Sequence, residues 1–332
     1  CQARDVPFLF VLNPEKAAVY PDKLRDGIHY DRSWVQQFEQ KLDELGVNYI
    51  DNTQLLQDRR AEGEQVFNKV YNAGHWNDLG AFYGVNNILE SLSGFFPSIQ
   101  PNELGDFAVT ETLQETLLSS QFPIHEYEPT FGRLCELEVK TEEYDAEVAR
   151  NSQHRGFGYF VNPENVAAGA PKTLVFQGSY MNEMGFKFLQ TGLGEYIYVH
   201  NYENLMDFDY YFNIFQPECV VVEVAEYTVN SGYFNAERVE NFSLNPVLTL
   251  DDAARQADKQ SLAPQIAEGE RLSTLTVSLP EGTQHAYLLS EGKTFDLIEG
   301  EQGWQASVEK ENLSADYTVV AVGADGEQTR YR

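Results

Sequence analysis

The chain has 332 residues, which is enough for one large domain and a smaller one. Hydrophobic residues make up 42% of it, so the composition supports a sizeable core and argues against wholesale disorder. The formal net charge of -29 disfavours nucleic acid as a partner, because phosphate backbones would repel so acidic a chain.

Five short, β-rich apolar runs predict strands, and several are apolar on both faces, as buried parallel strands are. Amphipathic or helix-compatible segments lie between most of them. This alternation predicts a doubly wound α/β domain with a mostly parallel sheet. The predicted strands are 8–12, 47–50, 173–176, 196–199 and 219–224, and the predicted helices are 33–45, 79–92 and 182–190.

The pattern is less regular over about 93–170, where strand candidates at 107–109 and 134–139 stand among turn residues. We interpret this stretch as an insertion in an α/β domain of residues 1–245, serving either as a lid or substrate wall or as a structural cover. Residues 246–270 are polar and alanine-rich and predict a linker or short helix. Six short alternating runs separated by glycine turns then predict a small β-sandwich over 271–332.

Three widely separated cysteines without a CxxC pattern, Cys1, Cys135 and Cys219, suggest neither a zinc site nor a disulfide framework. No metal or organic cofactor is implied. No run of 18 apolar residues is present, so we expect no transmembrane segment, and no signal peptide is recognised. Cys1 is open to two interpretations, a lipidated terminus or the start of a fragment. A core strand that begins at Pro7 without a flexible tether favours the fragment.

The run 173–181 (TLVFQGSYM) is a buried strand, a glycine, a serine and a helix start. Ser179 would stand at the carboxyl edge of a parallel sheet, where doubly wound proteins place their sites. Free N–H groups of the following helix, and the backbone beside Gly178 and Tyr180, are candidates for binding an oxyanion or the substrate. The alternative is that Ser179 is only an N-cap.

The run 71–82 (YNAGHWNDLGAF) carries His75 on a glycine-bearing loop before a helix. A neutral imidazole is the ordinary base for activating a serine hydroxyl, so Ser179 and His75 form the candidate pair. Alternatively, His75 packs at the helix start, which Asn77 or Asp78 would cap. Asn77 is also a candidate for substrate or oxyanion binding.

These segments resemble the SGNH-type O-acetyltransferases of alginate O-acetylation and the related DHHW family of bacterial surface proteins. The resemblance covers roughly residues 5–230. It implies that Ser179 is the acyl-accepting nucleophile and His75 its base, that the substrates are a polysaccharide and an acyl donor, and that the setting is extracytoplasmic. Separately, the two interpretations of Cys1 leave open a lipid anchor or a membrane-associated partner upstream of residue 1. The matching blocks are 13–21 (NPEKAAVYP), 74–81 (GHWNDLGA), 176–180 (FQGSY) and 210–223 (YYFNIFQPECVVVE).

The chain departs from the family pattern at the third member of the triad. The family has an aspartate two residues before the histidine, and Ala73 occupies that position here. Asn72 is the nearest polar side chain on that side, and Asp78 is the alternative on the other. An amide can orient an imidazole but brings no charge to stabilise imidazolium. We therefore expect Asn72→Asp to raise activity if Asn72 holds His75.

Two further residues are candidates for binding substrate. Lys16 follows the first strand within a family block, and it either lines the site or supports the fold. Arg155 precedes a glycine and two aromatic residues, and the alternative is a solvated arginine. Glu223 and Glu226 end the last strand of the sheet, where an inward-pointing carboxylate would need a partner.

Two functions follow from these features. The first is an O-acetyltransferase or esterase that acts on a bacterial cell-surface polysaccharide through a Ser-His acyl-enzyme mechanism. The second is a non-catalytic glycan-binding or cell-wall-associated protein with a degenerate SGNH site.

Overall fold

A computed structural model of the chain describes residues 1–72, 74–115, 123–229 and 232–332. The strands are β1 (Phe8–Asn13), β2 (Tyr49–Asp51), β3 (Phe107–Gln114), β4 (Glu126–Arg133), β5 (Glu138–Val139), β6 (Phe157–Val161), β7 (Lys172–Gln177), β8 (Glu195–His200), β9 (Cys219–Ala225), β10 (Arg255–Ala257), β11 (Gln265–Glu268), β12 (Leu272–Val277), β13 (Thr283–Ser290), β14 (Lys293–Gly300), β15 (Gly303–Glu309), β16 (Thr318–Gly323) and β17 (Gln328–Tyr331).

The helices lie mainly between the strands of the first sheet. They are α1 (Lys16–Val19), α2 (Ser33–Glu44), α3 (Thr53–Ala61), α4 (Asp78–Ser93), α5 (Thr141–Tyr144), α6 (Pro163–Ala167), α7 (Phe186–Gly192), α8 (Phe208–Phe215), α9 (Glu226–Val229) and α10 (Ala236–Glu240). A π-helical turn, Met181–Gly185, directly precedes α7.

The first sheet has the strand order β2-β1-β9-β7-β8-β6-β5. The first five of these strands run parallel, β6 pairs antiparallel with β8, and the edge strand β5 pairs antiparallel with β6. All five strands predicted from apolar runs are present in it. Helices cover both faces: α3, α4 and α7 contribute to one core, and α2 and α8 to the other. The doubly wound, mostly parallel α/β fold is confirmed.

The irregular stretch 93–170 contributes more to the sheet than its sequence predicts. β6 lies within the main sheet beside β8, and β3 and β4 form a separate hairpin. We did not predict β6 from the sequence because it is only five residues long and lies between two loops. No helix of ordinary length precedes it, so the strand–helix alternation that identified the other strands is absent.

The second sheet is curled and largely antiparallel, with the order β10-β17-β16-β13-β14-β15-β12-β11. β14 joins its two halves, because its first residues pair with β13 and its last residues with β15. The halves enclose their own core, in which Leu288, Phe295 and Val319 are fully buried. The predicted β-rich C-terminal region is therefore present.

The segment 246–270 contains a short 3-10 helix, Lys259–Leu262, but it is more than the predicted linker or short helix. It supplies β10 and β11, the two edge strands of the second sheet. Both are short and largely exposed, so they lack the apolar alternation that identifies a strand in sequence.

Polar contacts join helices and loops around the first sheet to the second sheet. Arg4 pairs with the buried Asp296 at 2.5 Å. Asn213 on α8 donates to the carbonyl oxygen of Asp296 and accepts from its N–H. The Glu147 carboxylate accepts hydrogen bonds from three consecutive amides, at 270–272. Within the described ranges, no helix combines the length and the apolar character required to cross a bilayer.

Candidate active site

Three strands of the parallel sheet end at one edge, and each leads into polar residues. Asn13 ends β1, Ser179 follows β7 by two residues, and Glu223 lies near the end of β9. The sheet is parallel here, so its carboxyl ends bring these side chains together, as in other doubly wound proteins. A helix begins at Ser179 and runs through the π-helical turn into α7.

Ser179, His75 and Asn72 form a connected row. The Ser179 Oγ lies 2.9 Å from His75 Nε2. On the other side of the ring, His75 Nδ1 lies 3.0 Å from Asn72 Oδ1. An amide oxygen can only accept, so His75 carries its proton on Nδ1, and the Nε2 lone pair faces the serine hydroxyl. This is the arrangement required for a base that removes the serine proton.

The loop that carries His75 is held from two sides. The Glu126 carboxylate on β4 accepts hydrogen bonds from the backbone amides of Lys69, Val70 and Tyr71, at 2.6–2.9 Å. The Lys16 ammonium donates to the carbonyl oxygens at 68 and 69. Lys16 thus contacts the backbone of the histidine loop.

Aromatic packing ties this loop to the serine helix. Trp76 is fully buried and donates its indole N–H to the carbonyl oxygen of Tyr180 at 3.0 Å. The Tyr180 ring lies 5.1 Å from the His75 ring, and its hydroxyl lies 3.1 Å from the carbonyl oxygens of Pro14 and Gly74. The Tyr180 side chain is completely buried, so it cannot contact substrate. Its place is in the packing behind the serine.

The backbone N–H of Gly178 was predicted to help bind the oxyanion, but it has another partner. Its N–H donates to Glu223 Oε2 at 2.7 Å and is therefore not available to a substrate. A Cβ at this position would meet only ordinary van der Waals contacts, so space does not demand a glycine. The first amides of the helix that begins at Ser179 have no acceptor within that helix and remain candidates for an oxyanion.

Asn77 and Asp78, two other residues predicted for the site, have partners away from Ser179 and His75. Asn77 is the N-cap of α4: its side chain accepts from Gly80 N–H and donates to the carbonyl oxygen of Gln65, which occupies both ends of the amide. Asp78 bonds to Lys187 and to the Phe131 amide, so it is not the group behind His75.

Arg155 is exposed, and its Nε donates to the carbonyl oxygen of Ser152. In the part of the chain that the structure describes, no hydrogen bond joins Arg155 to Ser179 or His75. Ala73, the position of the family aspartate, lies outside the described residues.

Two residues at the site were not predicted. Glu183 Oε2 accepts from Asn72 Nδ2 at 2.5 Å, and the Tyr227 hydroxyl lies 3.5 Å from Ser179 Oγ. Glu183 has a sequence signal, since a residue four positions after Ser179 in a helix faces the same side. Tyr227 has no such sequence signal, apart from its position just after β9.

Burial controls the electrostatics of the site. It lowers the pKa of His75, and the Glu183 charge opposes that shift. A lowered pKa keeps the imidazole neutral, and hence able to act as a base, near neutral pH. Burial also raises the pKa of Glu223 to about 7, against hydrogen bonds from Gly178 and Asn13 that favour the carboxylate. Among the described residues, no group of three His, Cys, Asp or Glu side chains could hold a metal ion.

A parallel sheet with a serine at its carboxyl edge, facing a histidine from a preceding loop, defines an SGNH hydrolase-like domain. A family model described as "SGNH hydrolase-like domain, acetyltransferase AlgX" matches residues 1–167, just over half of the chain. The chain belongs to this family of acyltransferases. The matched range contains His75 and ends before Ser179.

Solved structures resemble the chain at low sequence identity, and the two PatB1 structures share its fold. PatB1 of Bacillus cereus is 15% identical, with a TM-score of 0.51 over 69% of this chain and 85% of that chain. A second PatB1 structure, with a sulfonyl adduct, is 17% identical, with a TM-score of 0.52 over 69% of this chain and 83% of that chain. A DHHW family protein from Eubacterium siraeum is 14% identical, with a TM-score of 0.49 over 73% and 84%. No curated protein sequence matches the chain.

Proposed function

We propose that the protein is an O-acetyltransferase that moves an acetyl group onto a hydroxyl of a bacterial polysaccharide, through an acyl intermediate on Ser179. The observation that carries the proposal is the contact of 2.9 Å between Ser179 Oγ and His75 Nε2, with Asn72 behind the ring. Membership of the AlgX acetyltransferase family supports the type of reaction. The family resemblance supports an extracytoplasmic setting and a polysaccharide acceptor.

In the first half-reaction, Ser179 Oγ attacks the carbonyl carbon of an acetyl donor and its proton passes to His75 Nε2. The tetrahedral intermediate then collapses, the donor's bond to the acetyl group breaks, and the leaving group takes the proton from His75. In the second half-reaction, an acceptor hydroxyl gives its proton to His75 Nε2 and attacks the acetyl carbon. The new tetrahedral intermediate then collapses, its bond to Ser179 Oγ breaks, and Oγ takes the proton from His75, which restores the free enzyme.

The oxyanion of each tetrahedral intermediate needs hydrogen-bond donors close to Ser179 Oγ. The backbone N–H of Ser179, at the helix N-terminus, and the hydroxyl of Tyr227 are the donors we assign to it. Tyr227 lies at the right distance from the nucleophile to reach an oxygen on the attacked carbon.

An acceptor assay tests the proposal. Purified protein is incubated with p-nitrophenyl acetate and a bacterial polysaccharide, and acetyl esters on the polysaccharide are quantified for wild type, Ser179→Ala and His75→Ala. We expect ester formation by wild type only. If wild type releases p-nitrophenol but leaves the polysaccharide unmodified, the protein is an esterase, which shares this chemistry but admits water as the acceptor.

The second candidate is a glycan-binding protein with a degenerate site. The specific observation in its favour is the uncharged Asn72 in the place where a triad has a carboxylate. In that case wild type and Ser179→Ala would be equally inert toward the ester and would bind the polysaccharide equally well.

A further inference from the structure

The Asn72 side chain has two partners that belong to different segments. Its Oδ1 faces His75 Nδ1, and its Nδ2 donates to Glu183 Oε2 at 2.5 Å. Glu183 lies on the π-helical turn that follows Ser179. The chain of contacts from Ser179 through His75 and Asn72 to Glu183 therefore begins and ends on the same helix. π-helical turns are rare and occur frequently at functional sites.

We propose that Glu183 is a positioning residue of the active site, which holds the Asn72 amide in one orientation and thereby fixes the His75 tautomer that accepts the Ser179 proton. This inference rests on the proposed function. It assigns to an Asn–Glu pair the task that a single aspartate performs in the family pattern.

The argument depends on which atoms can donate. A carboxylate only accepts hydrogen bonds, so Glu183 selects the amide nitrogen of Asn72. The amide oxygen must then face His75, and an oxygen there requires the proton on Nδ1. Without Glu183, the amide could turn over and present its nitrogen to the ring. Nδ1 would then have to accept, the proton would move to Nε2, and the base would lose its lone pair toward Ser179.

The charge of Glu183 also favours the imidazolium that forms when His75 takes the serine proton. It raises the pKa of His75 against the larger effect of burial, which lowers that pKa. Other ionisable groups pack around the ring and its loop: the phenols of Tyr180 and Tyr227 lie on the serine side, and Lys16 and Glu126 bind the loop backbone. Glu183 is exposed, so salt screens its charge, while its effect on the orientation of the amide does not depend on screening.

The backbone at Asn72 fits this role. Its φ of 44° lies in the left-handed region, which asparagine and aspartate tolerate better than other side chains do. Asn72→Asp is therefore expected to fold. It would place a second carboxylate against Glu183, and like charges at hydrogen-bond distance repel. The structure thus changes the expectation for this variant: Asn72→Asp alone lowers activity, and Asn72→Asp with Glu183→Gln restores it.

The first test compares kcat and KM for p-nitrophenyl acetate among variants of Glu183. Glu183→Gln can still accept but also donates, and we expect kcat to fall roughly three- to tenfold with KM unchanged, because one base orientation is no longer enforced. Glu183→Lys can only donate and selects the wrong amide orientation, so its loss is expected to be about 10²-fold or more. Glu142→Gln and Glu142→Lys change the same charge at an exposed position on α5 and serve as controls.

Equal kcat/KM in wild type, Glu183→Gln and Glu183→Lys would overturn the inference. So would an Asn72→Asp variant more active than its double mutant with Glu183→Gln. Parallel losses in the Glu142 controls would show that net charge, and not position, is responsible, which also overturns it.

A second measurement separates this inference from the proposed function. The His75 imidazole is titrated by NMR, which requires no turnover. We expect a lower pKa and an altered Nδ1/Nε2 tautomer signature in Glu183→Gln, with neither change in Glu142→Gln. An unchanged titration and tautomer in Glu183→Gln would refute the role of Glu183 even in an active enzyme. Inert wild type would instead refute the proposed function and leave the NMR result interpretable.

Discussion

The Glu223 carboxylate accepts a hydrogen bond from the N–H of Gly178, at 2.7 Å, immediately before the serine. Its other oxygen accepts from Asn13 Nδ2, also at 2.7 Å, so one buried side chain joins the ends of β1, β7 and β9. Glu223 is fully buried, and burial raises its pKa from 4.5 to about 7. The turn that presents Ser179 therefore rests on a carboxyl group that titrates near neutrality.

This relationship predicts how stability depends on pH. Between pH 4.5 and about 7, the native state binds a proton at Glu223 that the unfolded chain has lost, so the contribution of this group to stability falls as pH rises through that window. Glu223→Gln removes the titration. We expect the free energy of unfolding of wild type, minus that of Glu223→Gln, to decrease by about 3 kcal/mol between about pH 5 and about pH 8. Urea unfolding at the two pH values measures it, and a constant difference would contradict the assignment.

A second prediction concerns the Glu126 clamp, by which we mean the hydrogen bonds from the amides at 69–71 of the histidine loop to the Glu126 carboxylate. Glu126 accepts three backbone N–H groups, and those hydrogen bonds lower its pKa although burial opposes them. Glu126→Gln leaves one acceptor oxygen in place of two. We expect kcat for p-nitrophenyl acetate to fall about tenfold, while the free energy of unfolding falls by no more than about 2 kcal/mol.

The matched control for the clamp is Glu128→Gln, two residues along the same strand. Burial and the neighbouring Glu126 charge raise the pKa of Glu128 to about 7, so a neutral amide resembles its protonated form. The control should retain most of the activity near neutral pH. If both variants lose kcat equally, the clamp has no special role in placing His75.

A third prediction addresses the C-terminal region. Leu272 belongs to the core on one face of the first sheet, and Asp296 receives Arg4 and Asn213 across the junction. Deleting residues 270–332 would expose that core and remove the Asp296 contacts of Arg4 and Asn213. We therefore expect the truncated chain to lose both ester turnover and cooperative unfolding, by calorimetry or circular dichroism. A truncated chain that folds and retains turnover but loses polysaccharide binding would indicate a separable binding module.

The sequence predicted the parts of this protein that local pattern controls. Buried strands such as 219–224 are continuous apolar runs, and β15 alternates between apolar and polar residues, so both types carry their own signal. β10 is too short and too exposed to carry one. β6 depends on its neighbour β8 for its place in the sheet.

In the site, too, only the features that a local sequence pattern determines were predictable. Ser179 and His75 stood out because a glycine, a polar residue and a helix start occur together in their segments. The partners of the backbone were not predictable, because the N–H of Gly178 meets Glu223 and the loop amides at 69–71 meet Glu126 only through tertiary folding. The contact between Asn72 and Glu183 joins residues 111 positions apart, which no local pattern reports.

The most direct test of the account is a trap for the acyl intermediate. Wild type, Ser179→Ala and His75→Ala are mixed with p-nitrophenyl acetate, quenched in acid, digested and analysed by mass spectrometry for an acetylated peptide that contains residue 179. We predict one acetyl group on Ser179 in wild type, none on that peptide in Ser179→Ala, and much slower acetylation in His75→Ala. An unmodified Ser179 in wild type, or acetylation at the same rate without His75, would contradict the central claim.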